Sequence, residues 1–294
     1  MILLAGGTGT LGALVVQSLT ARGLGVRVLT RDPRRADHLK HDLVEVVVGD
    51  VRDAAAMERA MSKVQVVISA IQGFSGQGSD SPRTVDFQGN VNLIRAAQRA
   101  RVEHFILVSV QGAALDHPME LHRMKYQAEQ ELQESGLSWT IIRPTASMET
   151  WVQLIGAPLV KTGRTVIFGR GVNPINFVSM LDVARVVERV LAEPNLRGTI
   201  IEVGGPENLS FEQVLKVVAS ETGRPSRAVR VPPGVLRVMA AILPRLNPTL
   251  ARQVQAALVM DSSDMTFVPA SRAFALSSPV VTLNEVVRRT FPVT

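Results

Sequence analysis

Gly6, Gly9 and Gly12 stand three residues apart in GGTGTLG, between the apolar run MILLA and the amphipathic run LGALVVQSLTARG. A strand, a glycine turn and a helix in that order suit a bound diphosphate. Gly6 permits the tight turn out of the strand, Gly9 lets the anion approach the backbone, and Gly12 lets the helix pack on the sheet. The N–H groups at the helix start, around Thr10 and Leu11, face the phosphates. The hydroxyls of Thr8 and Thr10 are further donors. A glycine turn without a ligand is the bland alternative; the strand–turn–helix context favours the ligand.

The second strand, VRVLT, ends at Thr30 and is followed by Arg31-Asp32-Pro33-Arg34-Arg35. An acid at that tip would bind an adenosine ribose and select NAD(H). A guanidinium binds a 2′-phosphate through charge-assisted, bidentate contacts. Arg31, supported by Arg34 or Arg35, therefore favours NADP(H), while Asp32 leaves NAD(H) open. In GDVRD, Asp50 is placed to reach an adenine amino group with Val51 against the ring, or to cap the helix that begins near Asp53.

A further cluster lies in MELHRMKYQAE, residues 119–129. Leu121 and His122 precede Lys125 by four and three positions and share its helix face. Many nicotinamide-dependent enzymes carry a tyrosine four residues before the lysine; here that position is Leu121. Tyr126, the only tyrosine, is turned away by about 100°. Lys125 can hold a cofactor ribose, or act as a desolvated amine that moves protons; a surface lysine is the third reading. Leu121 would form an apolar wall, and His122 offers an imidazole.

These residues need a scaffold. VEVVVG, VQVVISA (ending at Ala70), HFILVS and WTIIR continue the series of short apolar strands, as expected for a sheet covered on both faces. Between them, AAAMERAMSK, RTVDFQGNVNLIRAAQRA and MELHRMKYQAEQELQESG repeat at helical spacing. The alternation predicts an α/β fold, a Rossmann-type doubly wound parallel sheet with a small C-terminal substrate lobe. The NAD(P)-binding domain is expected over residues 1–145, with 175–204 returning to it, and the smaller lobe over 146–174 and 205–294. INFVS is read as a strand, with Asp182 capping the next helix. Ser210 is read as the N-cap and Gly223 as the stop of another. VLRVMAAILPRLNPTLARQVQAALVM reads as two helices broken near Pro244 to Pro248. Its apolar density suits core packing, a dimer face or a membrane-surface contact. Residues 73–81 are expected to form a mobile flap over the cofactor.

The 294 residues are 46% apolar and 4% aromatic, enough for a sizeable aliphatic core. With no cysteine, disulfides, thiolate metal sites and cysteine nucleophiles are excluded; no metal site is expected. The net charge of +6 invites a nucleic-acid partner. The scattered arginines and the lack of a recognition signature instead favour anionic small molecules. Without a basic leader or a long apolar run, the protein is expected to be cytoplasmic with no stable membrane insertion. A homodimer is compatible with the apolar C-terminal helices.

In order along the chain, GGTGTLG, LTRDP, GDVRD, VISAIQG, HFILVS, the Lys125 helix, SGLSWTIIRPT, INFVSMLDVA and IEVGGPENLS resemble the atypical, NmrA-like branch of the short-chain dehydrogenase/reductases. The resemblance implies that Ser109 matches the superfamily's active-site serine, Lys125 its lysine and Asn90 its helix asparagine. Ser109 and Leu121 are twelve residues apart and Leu121 and Lys125 four, so the spacing persists without the tyrosine. It also implies Ala70, Pro144 and Thr145 beside the cofactor, and Met148, Glu149 and Trp151 with Leu121 and His122 at the substrate; ordinary packing of the lobe junction is the other reading of Met148, Glu149 and Trp151. The expected activity is NADPH-dependent reduction of a quinone or conjugated carbonyl compound, with Lys125 and Ser109 as the catalytic pair. A non-catalytic redox sensor or assembly factor is the alternative, and a sugar-nucleotide epimerase a weaker one, because that chemistry relies on the missing phenol.

Overall fold

The computed structural model describes residues 1–268 and 280–292. It divides into two compact units, Met1–Pro144 with Val183–Glu202, and Thr145–Asp182 with Val203–Thr294. The return to the first unit begins at Val183, so residues 175–182 belong to the second.

The first unit is built on β1 (Ile2–Ala5), α1 (Thr10–Ala21), β2 (Val26–Thr30), β3 (Val44–Val48), α2 (Ala54–Ala60), β4 (Val66–Ser69), α3 (Asn90–Arg99), β5 (His104–Val108), α4 (Glu120–Gln133) and β6 (Trp139–Pro144). The pairs β1–β2, β2–β3, β1–β4, β4–β5 and β5–β6 are all parallel. A later helix, α6 (Met180–Ala192), leads to β10 (Thr199–Val203), which joins the sheet beside β6 in the order β10-β6-β5-β4-β1-β2-β3. The chain thus builds outward from β1 on one side, then turns back to β4 on the other. That reversal is the switch point at which open α/β sheets bind ligands. Leu3, Ala5, Met57, Phe105, Leu107 and Ile141 are fully buried in this unit's core.

The helix expected over RTVDFQGNVNLIRAAQRA is divided. Pro82–Gly89 forms wide, π-type turns before α3 begins at Asn90. Ser81 and Thr84 cap it reciprocally, and Pro82 suits the first turn, where no N–H is needed.

The second unit contains β7 (Ala146–Ser147), α5 (Met148–Thr162), β8 (Thr165–Phe168), β9 (Ile175–Val178), β11 (Asn208–Leu209), α7 (Phe211–Thr222), β12 (Ala228–Val231), α8 (Pro233–Leu246), α9 (Pro248–Ser262) and α10 (Leu283–Thr290). Ser210 caps α7 in a capping box with Gln213, and Gly223 ends it at φ +64°, as the sequence predicts. The proline-marked break falls at Asn247, whose side chain accepts from Leu250 N.

Two expectations need correction here, and one helix is new. Asp182 lies inside the first turn of α6 rather than capping it: Ser179 Oγ accepts from Leu181 N, and Asp182 Oδ2 accepts from Val281 N at 2.9 Å. The segment after β6, for which the sequence offers no clear periodicity, contains a full helix, α5, with Gly156 and Pro158 inside it. Core packing does not account for α8, because Leu236 is its one buried residue.

Candidate functional site

The glycine turn meets the switch point directly. Ala70 N donates to Ala5 O at 2.9 Å, which brings the end of β4 against the end of β1. A Cβ on Gly6 would lie 2.5 Å from Ala70 O, and Gly6 has φ +87°. A Cβ on Gly12 would lie 2.2 Å from Gly6 O. Both positions therefore exclude side chains for internal reasons. Gly9 differs: its Cβ would meet only Gly6 O, at 3.4 Å. The protein has room for a side chain there, so bareness at Gly9 serves whatever approaches from outside. Gly9 is the N-cap of α1 and supplies no capping side chain, so the first-turn amides of Thr10 and Leu11 stay available to an anion.

At the tips of β2 and β3, four charged residues form one network. Arg31 Nη1 donates to Asp80 Oδ2 at 2.6 Å, and Arg52 Nη1 lies 3.0 Å from Asp80 Oδ1. Arg52 also grips Asp50 through Nε at 2.9 Å and donates to Ser79 Oγ at 2.6 Å. Asp50, expected at an adenine, is thus held by Arg52, which keeps its carboxyl below the usual range. The cap of α2 is Asp53, not Asp50. Asp32 caps the turn Pro33–Leu39 and binds the Arg34 guanidinium, so neither residue is idle. Asp80 and Ser79 tie the expected flap to the two arginines. Val51 is half-buried, its carbonyl accepting from Asn92 Nδ2 at 2.9 Å.

Lys125 is buried, 3% exposed, which removes the surface reading. Its Nζ donates to Ile71 O at 2.9 Å and Val108 O at 3.0 Å, and lies 3.1 Å from Asp86 Oδ1. Two internal carbonyls thus accept from the ammonium, and the Asp86 carboxylate beside it balances its charge. The lysine ties the chain just past β4 to the end of β5, and Asp86 anchors the loop by accepting from Gly73 N at 2.8 Å. Burial pushes the Asp86 carboxyl up, against the opposing pull of Lys125. Asn90 donates to Asp86 O at 2.6 Å and accepts from Ser69 Oγ at 2.6 Å. Sequence reading missed Asp86. Its signal was readable in the spacing: it shares a helical face with Asn90 four positions on, both inside an otherwise apolar surface.

Ser109, just beyond β5, and His122, on α4, are 6% and 5% exposed, and neither Ser109 Oγ nor His122 Nδ1 has a protein partner. Buried polar atoms are rarely left unpaired, which makes these two candidates for a ligand contact. His122 stacks on His117 with ring centroids 3.9 Å apart. Burial, reinforced by His117, lowers its pKa to about 3, so the imidazole is neutral near pH 7. Leu121 is buried beside it on α4. Pro144, at the end of β6, accepts from Gln111 N.

The remaining expected residues lie in the second unit and already have partners there. Thr145 Oγ1 donates to Asn176 Oδ1 at 2.9 Å. Met148 is buried in that unit's apolar cluster, and Trp151 packs on Phe211 with centroids 4.6 Å apart. Glu149 accepts from Ser179 Oγ at 2.7 Å and from Met180 N at 3.0 Å, holding the start of α6. Packing and capping thus account for Met148, Glu149 and Trp151. No cluster of metal-ligating side chains occurs among the described residues, and none of their helices is long and apolar enough to cross a membrane.

The bare Gly9, the open helix start and the orphaned Ser109 and His122 atoms fit a dinucleotide. Comparisons agree. The model of the NAD(P)H-binding family matches residues 6–194. An NAD(P)H azoreductase of Xenophilus azovorans is 31% identical over 79% of this chain and 77% of its own. The photosystem II assembly factor Ycf39 of Trieres chinensis is 25% identical over 82% of this chain and 75% of its own. Among solved structures, an NADPH-dependent quinone oxidoreductase of Escherichia coli, complexed with NADPH, aligns with a TM-score of 0.79 at 21% identity, covering 99% of each chain. The chain belongs to the NAD(P)H-binding family.

Proposed function

We propose that this protein is an NADPH-dependent reductase whose acceptor takes its protons from water: a quinone or a conjugated carbonyl compound. One observation carries the reading. Lys125, the amine at the expected catalytic position, is closed into a buried ion pair with Asp86 and two carbonyls. Leu121 stands where a phenol would be, and His122 is neutral near pH 7. No side chain on that face is poised to deliver a proton, so an acceptor whose reduced form protonates in solvent fits best. The azoreductase and quinone oxidoreductase named above support the same class of acceptor.

In this reading the bound dihydronicotinamide supplies one hydride, and a quinone becomes a hydroquinone on adding that hydride and one proton from water. The chain's own residues bind and orient. The turn from Gly6 to Gly12, with Thr8, Thr10 and Leu11, holds the diphosphate; Asp50 and Val51 border the adenine; Ala70 lies at the switch point. Ser109 Oγ donates to the carboxamide or to the acceptor oxygen. Lys125 is a positioning residue: it fixes the Ile71 and Val108 carbonyls rather than touching the acceptor. Arg31 reads the 2′-phosphate after exchanging Asp80 for it, which favours NADPH over NADH.

The test is NADPH oxidation against quinones, enones and azo compounds, followed from pH 6 to 9. The expected result is turnover with a kcat that is flat across that range. Turnover controlled by a group titrating near neutrality would overturn the proton argument. Tight NADPH binding with no turnover on any acceptor would move the protein to a sensing or assembly role.

A further inference from the structure

The six arginines Arg224, Arg227, Arg230, Arg237, Arg245 and Arg252 lie between Gly223 and Met260, a stretch with no Lys, Asp or Glu. The whole chain has 32 basic and 26 acidic residues; without these six the remainder is 26 against 26. All of the net charge of +6 therefore resides in one stretch of 38 residues, wholly within the second unit.

The same stretch exposes aliphatic side chains. On α8, Val235, Val238, Ile242 and Leu246 are 48%, 59%, 55% and 75% exposed. Their spacing places them on one stripe of the helix. The adjoining face is spoken for: Leu236 packs against Val254 and Ala257 of α9, with Met239, Ala240 and Leu243 beside it. Arg237 and Arg245 are exposed; by helical geometry Arg245 flanks the stripe and Arg237 lies farther round the solvent side. Arg230 is engaged by Glu212.

We infer that α8 is an interfacial helix that docks this protein on an anionic lipid bilayer. The aliphatic stripe enters the boundary between headgroups and acyl chains, while Arg245 flanks it and Arg237 reaches back from the solvent side, their guanidinium groups at the phosphates. Charge selects this occupant. A second copy would bring arginine against arginine with no acid in the segment to pair them. A nucleic acid would find aliphatic side chains where stacking aromatics and base-reading amides are needed. An anionic bilayer satisfies both halves of the patch, and each arginine held at its surface strengthens binding roughly five-fold. The inference does not depend on the reaction proposed above.

The test is flotation of the full chain with vesicles of 3:7 phosphatidylglycerol:phosphatidylcholine and of phosphatidylcholine alone, at 0.15 M salt. The expected result is binding to the anionic vesicles at least ten-fold stronger than to the neutral ones. Val238→Asp/Ile242→Asp and Arg237→Gln/Arg245→Gln should each weaken it at least ten-fold. All four side chains are exposed, so both variants should keep the wild-type melting curve and NADPH affinity. Absence of binding to anionic vesicles would overturn the inference. So would binding indifferent to either variant pair, or a stable dimer in solution that Val238→Asp/Ile242→Asp dissociates.

Discussion

Replacing Lys125 by Met keeps most of the side-chain volume and removes the charge. Lys125 Nζ and Asp86 Oδ1 are 3.1 Å apart, with the two side chains 4% and 0% exposed. At an effective dielectric constant of about 20, that separation corresponds to an attraction of about 5 kcal/mol before desolvation. Desolvation of both ions offsets much of this, but removing one partner strands the other, which costs about 3–5 kcal/mol. Lys125→Met should therefore lose about 3–5 kcal/mol in urea unfolding. At about 2–4 °C per kcal/mol, the melting temperature should fall by at least about 6 °C. Adding Asp86→Asn removes the stranded charge while keeping an acceptor for Gly73 N, so the double variant should recover more than about 1.5 kcal/mol. The pH dependence has a definite sign. Burial already raises the Asp86 carboxyl, and losing Lys125 raises it further. A carboxyl raised in the fold favours the fold at low pH and penalises it as pH rises through the raised value. The deficit of Lys125→Met should thus shrink on acidification. If Lys125→Met melts like wild type while NADPH binding weakens ten-fold or more, Lys125 is a cofactor contact and the buried-pair argument is wrong.

The glycines separate binding from folding: Gly9→Ala should leave the melting temperature within about 2 °C of wild type but weaken NADPH at least about ten-fold by titration, whereas Gly12→Ala, with its Cβ 2.2 Å from Gly6 O, should be destabilised as well. Asp80→Asn should tighten NADPH several-fold without changing NADH, because it releases Arg31; Arg31→Gln should weaken NADPH alone, by about ten-fold or more. His122 and His104 have pKa values lowered by burial to about 3 and about 4. Depressed values mean stability that is full above the unfolded value of about 6.5 and lost as pH falls below it. Thermal melts from pH 7 to 4 should show this slope, and His122→Asn should flatten it; an unchanged slope would remove His122 from the account.

The sheet, the glycine turn and the Ser210 and Gly223 boundaries were readable because each is written locally, in periodicity or in one residue's backbone needs. The partners of Lys125 were not. Its face could be found from Leu121 and His122, but Ile71 and Asp86 are brought to it by the pairing of β4 with β5 and by the wide turns from Pro82 to Gly89. The same holds for Asp80, whose place opposite Arg31 depends on the path of a loop. Helix α5 was obscured by Gly156, yet that glycine is required: a Cβ there would lie 2.5 Å from the Phe291 ring. A residue that reads as a helix breaker in one dimension is a packing requirement in three.

The close approach of Gly6 to Ala70 also sets an order of events during synthesis. The glycine signature is complete within the first dozen residues, but the turn is braced by a strand that ends at Ser69 and by the bond from Ala70 N to Ala5 O. A nascent chain that has presented GGTGTLG but not yet VVISA has the lettering of the nucleotide site without its shape. Dinucleotide capture should begin only when β4 has left the ribosome and docked, so truncated products ending before residue 70 should neither sequester cofactor nor be protected by it from proteolysis.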